Sequence, residues 1–293
     1  MTLDQVLAER AIERLIIDYA AHNDAGNWDA LVAQYCPDGA MSRPSAPDVF
    51  ITGHDAIRPA FLARRPRVTR QIAHLDHLGI GEPIAGDRIY NGAMNDASGV
   101  ASVLDIAHRL HGGPRPKRSI LFVIVAGEEE SLLGSTYFAK RPTAPKNAIF
   151  ADLNFDMPLA LWPLKTVIAG GEAESTLGAV ARQAAADQGL ALTPDPLPNR
   201  NSFTRTDQFT FVRAGIPALA FKFGFVLNSP QFQIEHDWRA NRYHSPADDI
   251  NQPGVLKVEA IKLDNFIAKI ATLVANDPVA PTWLPTSVFK PDN

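Results

Sequence analysis

Thiols are all but missing from this chain, which has one cysteine, Cys36, in 293 residues. A lone thiol excludes an intrachain disulfide and a thiolate-held structural metal. Any bound cation must therefore be held by imidazole and carboxylate, a donor set that favours a catalytic site over a structural one. Charge of one sign is lacking too: 28 Lys and Arg stand interspersed with 32 Asp and Glu, for a net charge of −4. Without a basic stripe to track a phosphate backbone, nucleic acid is not an expected partner. No stretch approaches the roughly 20 apolar residues of a membrane span, so no membrane partner is expected. Met1-Thr2-Leu3-Asp4-Gln5 shows no basic segment leading into an apolar one, and a cytoplasmic location is the expectation. What is present is a hydrophobic content of 46% beside 20% charged residues, enough for one large core or two small ones.

The first seventy residues read as helix, helix, strand, helix. Leu7, Ala11, Leu15, Ile16, Tyr19 and Ala20 recur at helical spacing opposite Glu9, Arg10, Glu13, Arg14 and Asp18. After Gly26, Trp28, Leu31, Val32 and Tyr35 form a shorter stripe that Pro37-Asp38-Gly39 ends. Phe50-Ile51-Thr52-Gly53 reads as a strand and turn, and Asp55 opens a helix running to Pro66. With Ala11-Ile12-Glu13-Arg14-Leu15 and Gly53-His54-Asp55-Ala56-Ile57, this run resembles the opening of the nuclear-transport-factor-like, or SnoaL-like, cone fold. The resemblance ends near Arg70, before the curved sheet that forms the pocket in that family. Residues 1–67 are therefore expected to form a partial SnoaL-like, mainly helical α+β segment. Tyr19 reads as a core residue, Asp24 as a turn cap, and His22 and His54 as surface or turn residues.

From residue 68 to 293 strands alternate with helices, which implies right-handed crossovers and a mostly parallel twisted sheet with helices on both faces. Val68 to Ala73 is a strand that delivers His74, and Gly79, Gly81 and Pro83 make a loop running to Asn91. A helix from Ser98 through Leu110 stops at Gly112-Gly113-Pro114. Ile120 to Val125 is a continuous apolar run, as in a strand buried on both sides. Ala148 to Asp156 and Thr166 to Gly170 are further strands, followed by a helix from about Glu174 to Asp187, a strand over Pro217 to Phe221 and a closing helix over Val255 to Ala275. In such sheets the site lies beyond the carboxyl ends of the strands. His74, Glu128, Glu129 and Asp156 all fall there, and Tyr243-His244-Ser245-Pro246 adds an imidazole in a polar loop. These groups together read as a metal site. His77, His108, His111 and His236 lack comparable placement and read as structural or surface residues.

Four motifs carry a second resemblance: His74-Leu75-Asp76; Gly127-Glu128-Glu129 with Leu132-Leu133-Gly134-Ser135; Asn154-Phe155-Asp156-Met157; and Tyr243-His244-Ser245-Pro246. They are similar, in this order, to the co-catalytic zinc aminopeptidase family, which includes glutamate carboxypeptidases and glutaminyl cyclases. The resemblance implies a zinc-dependent exopeptidase acting on a peptide substrate with one or two zinc ions. It places one metal on His74 and Asp156 and another on Glu129 and His244, with Asp76 orienting His74. Glu128 becomes the general base that deprotonates water and passes the proton to the leaving amine. Asp207 matches a stretch near the family's substrate pocket.

The chain departs from that pattern at Gly92-Ala93-Met94-Asn95-Asp96-Ala97-Ser98-Gly99, where relatives carry Gly-Ala-Met-Asp-Asn-Ala-Ser-Gly and the Asp bridges two ions. Two dications about 3.5 Å apart repel by about 19 kcal/mol at an effective dielectric of ~20, so a neutral Asn95 is a poor bridge. Three outcomes stay open: Asp96 enters the site, one metal binds weakly, or none binds. The alternative to a working peptidase is thus a catalytically impaired metal-binding or interaction protein of the same fold. The seam near Arg67 suggests a fusion, and an apolar sheet edge left there would invite a homodimer.

Overall fold

Short runs of apolar and β-branched residues set the strands of the structure, a computed structural model that describes residues 28–38, 40–43, 46–62, 68–145 and 148–291. Backbone proximity divides the chain into two units, Met1–Pro66 with Arg141–Ala148 and Arg67–Lys140 with Ile149–Asn293. In the first, helix α1 (Trp28–Val32) is followed by strands β1 (Ala40–Arg43) and β2 (Ala46–Thr52) and helix α2 (His54–Leu62). Leu31, Val32 and Ile57 are buried together, with Tyr35 and Ile51 packed on them. The expected order therefore gains a strand: β1 pairs antiparallel with β2, yet Ala-Met-Ser-Arg is too short and too polar to announce itself. The helix expected over residues 7–21, with Tyr19, His22 and Asp24, lies outside the described residues.

The second unit holds β3 (Val68–His74), β4 (Gly79–Ile84), β5 (Asp87–Tyr90), α3 (Ser98–His111), β6 (Ser119–Val125), α4 (Leu133–Lys140) and β7 (Ile149–Phe155). These are followed by β8 (Thr166–Gly170), α5 (Leu177–Asp187), β9 (Ala191–Leu192), α6 (Gln208–Arg213), β10 (Ala218–Phe223), α7 (Pro230–Asn241) and α8 (Lys257–Asn276). Six strands form one sheet in the order β6-β3-β7-β10-β8-β9, parallel except where β8 meets β10. Successive residues of a strand face opposite sides, and β3 shows it. Ala73 joins the main core, where α3, α5 and α8 pack, while Ile72 joins a smaller core with Phe211 of α6 and Phe138 of α4. Helices thus cover both faces.

Two expectations fail in this unit. Ile120 to Val125 is not buried on both sides: β6 is an edge strand, and Ile124 is 41% exposed. An apolar run shows that a strand forms but not where in the sheet it sits. The supposed loop over residues 79–91 is an antiparallel hairpin of β4 and β5. Ala85 and Gly86 turn it with φ of 51° and 87°, as a two-residue hairpin requires. Gly79, Gly81 and Pro83 had masked the alternation.

Two buried acids strain this packing. Arg70 and Asp152 face each other in register on β3 and β7, both wholly buried. Asp264 on α8 is buried beside Ser102 and Asp105 of α3; burial first and the Asp105 charge second raise its carboxyl to about 7. A raised acid keeps its proton in the folded state. Its stabilising contribution is complete below about pH 4 and lost as pH rises through about 7. Asp264→Asn is therefore expected to stabilise the protein at pH 8 relative to pH 5 by up to about 3 kcal/mol, about 1.4 for each pH unit between 5 and 7. Urea denaturation of both forms at the two pH values checks this; equal pH dependence would refute it.

Candidate active site

Parallel pairing brings the acidic strand ends together. His74 ends β3 opposite Val125 of β6, three residues before Glu128, and Ile72 lies opposite Asn154, two residues before Asp156. The same register therefore delivers one imidazole and several carboxylates to one edge. His74 Nε2 stands 3.8 Å from Asp156 Oδ1 and 4.0 Å from Glu128 Oε2. His74 Nδ1–H donates to the Asp76 carbonyl at 2.8 Å, while the Asp76 carboxylate is 3.6 Å away. Orientation of the ring thus comes from the backbone of Asp76, and its carboxylate instead accepts the Glu128 N–H at 3.4 Å.

On the other side, Glu129 Oε1 lies 3.0 Å from His244 Nε2 and 3.3 Å from His77 Nδ1. The two rings meet edge to face with centroids 5.4 Å apart. His77, expected to be a structural or surface residue, is 4% exposed and faces Glu129. Gly92 makes room for it, since its φ is 64° and a Cβ there would strike the Asn95 carbonyl and the His77 side chain. His108, His111 and His236 play no part in this cluster.

Asn95 and Asp96 sit in the turn before α3 and have different partners. Asn95 Nδ2 donates to Glu129 Oε1 at 2.8 Å. Asp96 Oδ1 accepts from the Gly99 and Met157 N–H groups, each at 3.0 Å, and its Oδ2 is buried without a partner. Gly99 is required there because a Cβ would collide with the Asp96 carboxylate. Asp248, unremarked in the sequence, locks the turn: its carboxylate accepts from Met94 N at 2.8 Å and Asn95 N at 3.0 Å. It ties the His244 loop to the Asn95 turn.

Electrostatics follow from burial of so many acids. Burial, and after it Asp156, raises Glu128 to about 8. Burial also pushes Asp96 up, whereas in Asp156 the effect of burial is overcome by His74 and Lys222, and its carboxyl is lowered. His74 would be lowered by burial, but Asp156, Asp96 and Glu128 outweigh that and raise it to about 11. Glu129 is held low by His244 and His77 against its own burial. Asp207 is nearly fully buried and raised by burial to about 6 despite a hydrogen bond from Ser135. Among the described residues, no three His, Cys, Asp or Glu side chains form a ready-made metal cluster. His74 Nε2 and Asp96 Oδ2 are nevertheless buried with no hydrogen-bond partner. Glu128, Glu129, Asp156 and His244 share a cavity of about 350 Å³ with Lys222 and Tyr243.

Comparison with known proteins decides what this arrangement belongs to. Residues 64–263 match the profile of peptidase family M28. The chain belongs to that family. A probable zinc metalloprotease of Pyrenophora tritici-repentis is 41% identical to this M28 chain over 66 residues, which are 22% of the chain and 15% of that protein. Among solved structures, a zinc aminopeptidase from Bacillus subtilis superimposes with a TM-score of 0.56 at 21% identity, over 73% of this chain and 47% of that one. The Porphyromonas gingivalis glutaminyl cyclase gives 0.51 at 16% identity, over 71% and 73%. The M28 chain thus spans about a seventh of that curated relative and under half of the Bacillus enzyme. These structures share its mixed, mostly parallel sheet. No helix among the described residues is long and apolar enough to cross a membrane.

Proposed function

We propose that this chain is a zinc-dependent exopeptidase, most readily an aminopeptidase, that hydrolyses peptide bonds with Glu128 as its base. The observation that carries the reading is the meeting of His74, Glu128, Glu129, Asp156 and His244 at one sheet edge and cavity. The donor set fits a cation: imidazole nitrogens and carboxylates, with His74 Nε2 buried and unpartnered. His74 and Asp156 would hold zinc on one side and Glu129 and His244 on the other. Bound there, zinc supplies a Lewis acid that polarises the peptide carbonyl and acidifies water.

The chain's own residues supply the proton chemistry. Glu128 accepts the proton of the attacking water and returns it to the leaving amine. The Asp76 carbonyl fixes the His74 tautomer, leaving Nε2 free to act as a donor atom. Asn95 does not fit a bridge between two ions, because its amide nitrogen faces Glu129 Oε1. That contact favours one ion over two, and it is also what favours the second reading, an impaired metal-binding protein.

Zinc content and hydrolysis of aminoacyl arylamides, measured on protein purified without added metal, test both readings. About one zinc per chain with slow, chelator-sensitive hydrolysis is expected. Asn95→Asp places a carboxylate against Glu129, a like-charge contact that only a cation or proton relieves. It is expected to raise the content toward two zinc ions and the rate at least about tenfold. Metal-free protein without hydrolysis, unchanged by the substitution, would sink the reading.

A further inference from the structure

The chain beyond residue 263, where the match to peptidase family M28 ends, folds back beside the site. After α8, the segment from Thr282 to Phe289 lies across the turn between β8 and α5. Thr176 N–H donates to the Thr282 carbonyl at 2.9 Å, and Thr282 N–H donates to Thr176 Oγ1 at 3.0 Å. Ser175 and Trp283 form a β-bridge, and Leu284 N–H donates to the Glu174 carbonyl at 2.9 Å. The Glu174 carboxylate accepts from Ser287 Oγ at 2.7 Å and from Val288 N–H at 3.3 Å, while Trp283 Nε1 donates to the Gly215 carbonyl at 3.0 Å. These bonds fix a segment that has no helix of its own. They deliver Phe289 against three aromatic rings, Phe203 at 5.7 Å, Phe209 at 6.0 Å and Trp283 at 6.4 Å between centroids.

Phe289 and Phe203 line a cavity of about 610 Å³ that adjoins the catalytic one, and Asp156, Ser202, Thr206, Lys222 and Arg239 border both. Strand register places its two ends. Lys222 pairs with Ile168 and Ala220 with Gly170. Phe203 lies on Gly170 and Gly171, where an added Cβ would stand 3.0 Å and 2.7 Å from its ring. Two residues of strand therefore separate Lys222 from the Phe203 end, about 6.6 Å, the reach of one long side chain. Leu159, Ile168, Phe223 and Phe225 make the walls between apolar. Phe203 rides on a single turn, Ser202–Thr204, that buries no residue of its own, so the ring is a firm barrier only because Phe289 backs it.

We infer that Phe289 is a specificity-determining residue of this peptidase: with Phe203 it closes the far end of the apolar cavity and sets the longest side chain a substrate can place there. This role rests on the hydrolase reading and adds to it a residue outside the stretch that matches the family. An apolar stop discriminates by overlap, at about 10- to 200-fold for each methylene that must be accommodated.

Kinetics on leucyl and tryptophyl p-nitroanilides test it, each rate taken relative to alanyl p-nitroanilide, whose side chain is too short to reach the rings, so that any general slowing cancels. Phe289→Ala is expected to move the ratio of kcat/KM toward the tryptophyl substrate by about tenfold or more, and Phe289→Leu to move it the same way by less. A ratio that stays within about twofold of the parent's or moves the other way overturns the inference. So does equal slowing of all three substrates, which is what a mere structural brace would give. Should the Ala variant fail to fold, the Leu variant decides on the same ratio. If the parent hydrolyses none of the three, the peptidase reading fails, and calorimetric titration of leucinamide and tryptophanamide still tests the stop: a shift of the affinity ratio toward tryptophanamide in Phe289→Ala supports it, and an unchanged ratio or no binding overturns it.

Discussion

Glu128→Gln is expected to lower kcat/KM for an aminoacyl arylamide by about 10²- to 10⁴-fold, the contribution of a positioned general base. The side chain faces the shared cavity, its Oε2 4.0 Å from His74 Nε2, and it is not among the residues proposed to hold zinc. Glutamine has the same size and shape but cannot take a proton. Because Glu128 is buried among Asp156, Asp207 and Glu129, removing its charge relieves repulsion, so the variant is expected to fold at least as stably as the parent. Zinc content measured on the same preparations separates lost base from lost metal. A variant with full zinc and a rate within threefold of the parent would remove Glu128 from the mechanism.

The largest stability effect is expected at Arg70 and Asp152. The Arg70 guanidinium lies 3.6 Å from the Phe211 ring centroid and 5.4 Å from that of Phe138, with Nε 3.9 Å from Asp152 Oδ1. None of its nitrogens, and neither Asp152 oxygen, has a hydrogen-bond partner. Burial lowers Arg70 to about 10 and raises Asp152 to about 7. The two halves of this pair are unequal when separated. A stranded carboxyl can take up a proton, whereas a stranded guanidinium keeps its charge at neutral pH. Asp152→Leu is therefore expected to cost about 3–5 kcal/mol and Arg70→Met distinctly less, with the double substitution close to the parent or above it. Urea unfolding of the four proteins closes the cycle. Equal costs for the two single substitutions, or a double variant as unstable as their sum, would show that the pair is not coupled in this way.

Strand ends were the most legible part of the site. His74, Glu128, Glu129 and Asp156 each follow an apolar run, and a parallel sheet gathers such ends at one edge whatever the details of its helices. His77 was not legible, because a lone imidazole in a loop looks the same whether it faces solvent or Glu129. Lys222 was hidden for the opposite reason. It stands inside the apolar strand Ala218–Phe223, and only the folded structure shows that it lines the cavity of Asp156. Asp248 was missed because its partners, the N–H groups of Met94 and Asn95, lie about 150 residues away.

By itself, the sequence determined the alternation of strands and helices and the carboxylates and imidazoles at the strand ends, since these are local patterns that periodicity and residue chemistry express directly. Tertiary structure alone decided that β6 lies at the sheet edge, that Asn95 turns its amide toward Glu129, and that Lys222 shares a wall with the acids. The physical reason is that lateral strand order, side-chain direction and the company kept by a charge are set by contacts between distant segments, to which no local spacing is sensitive.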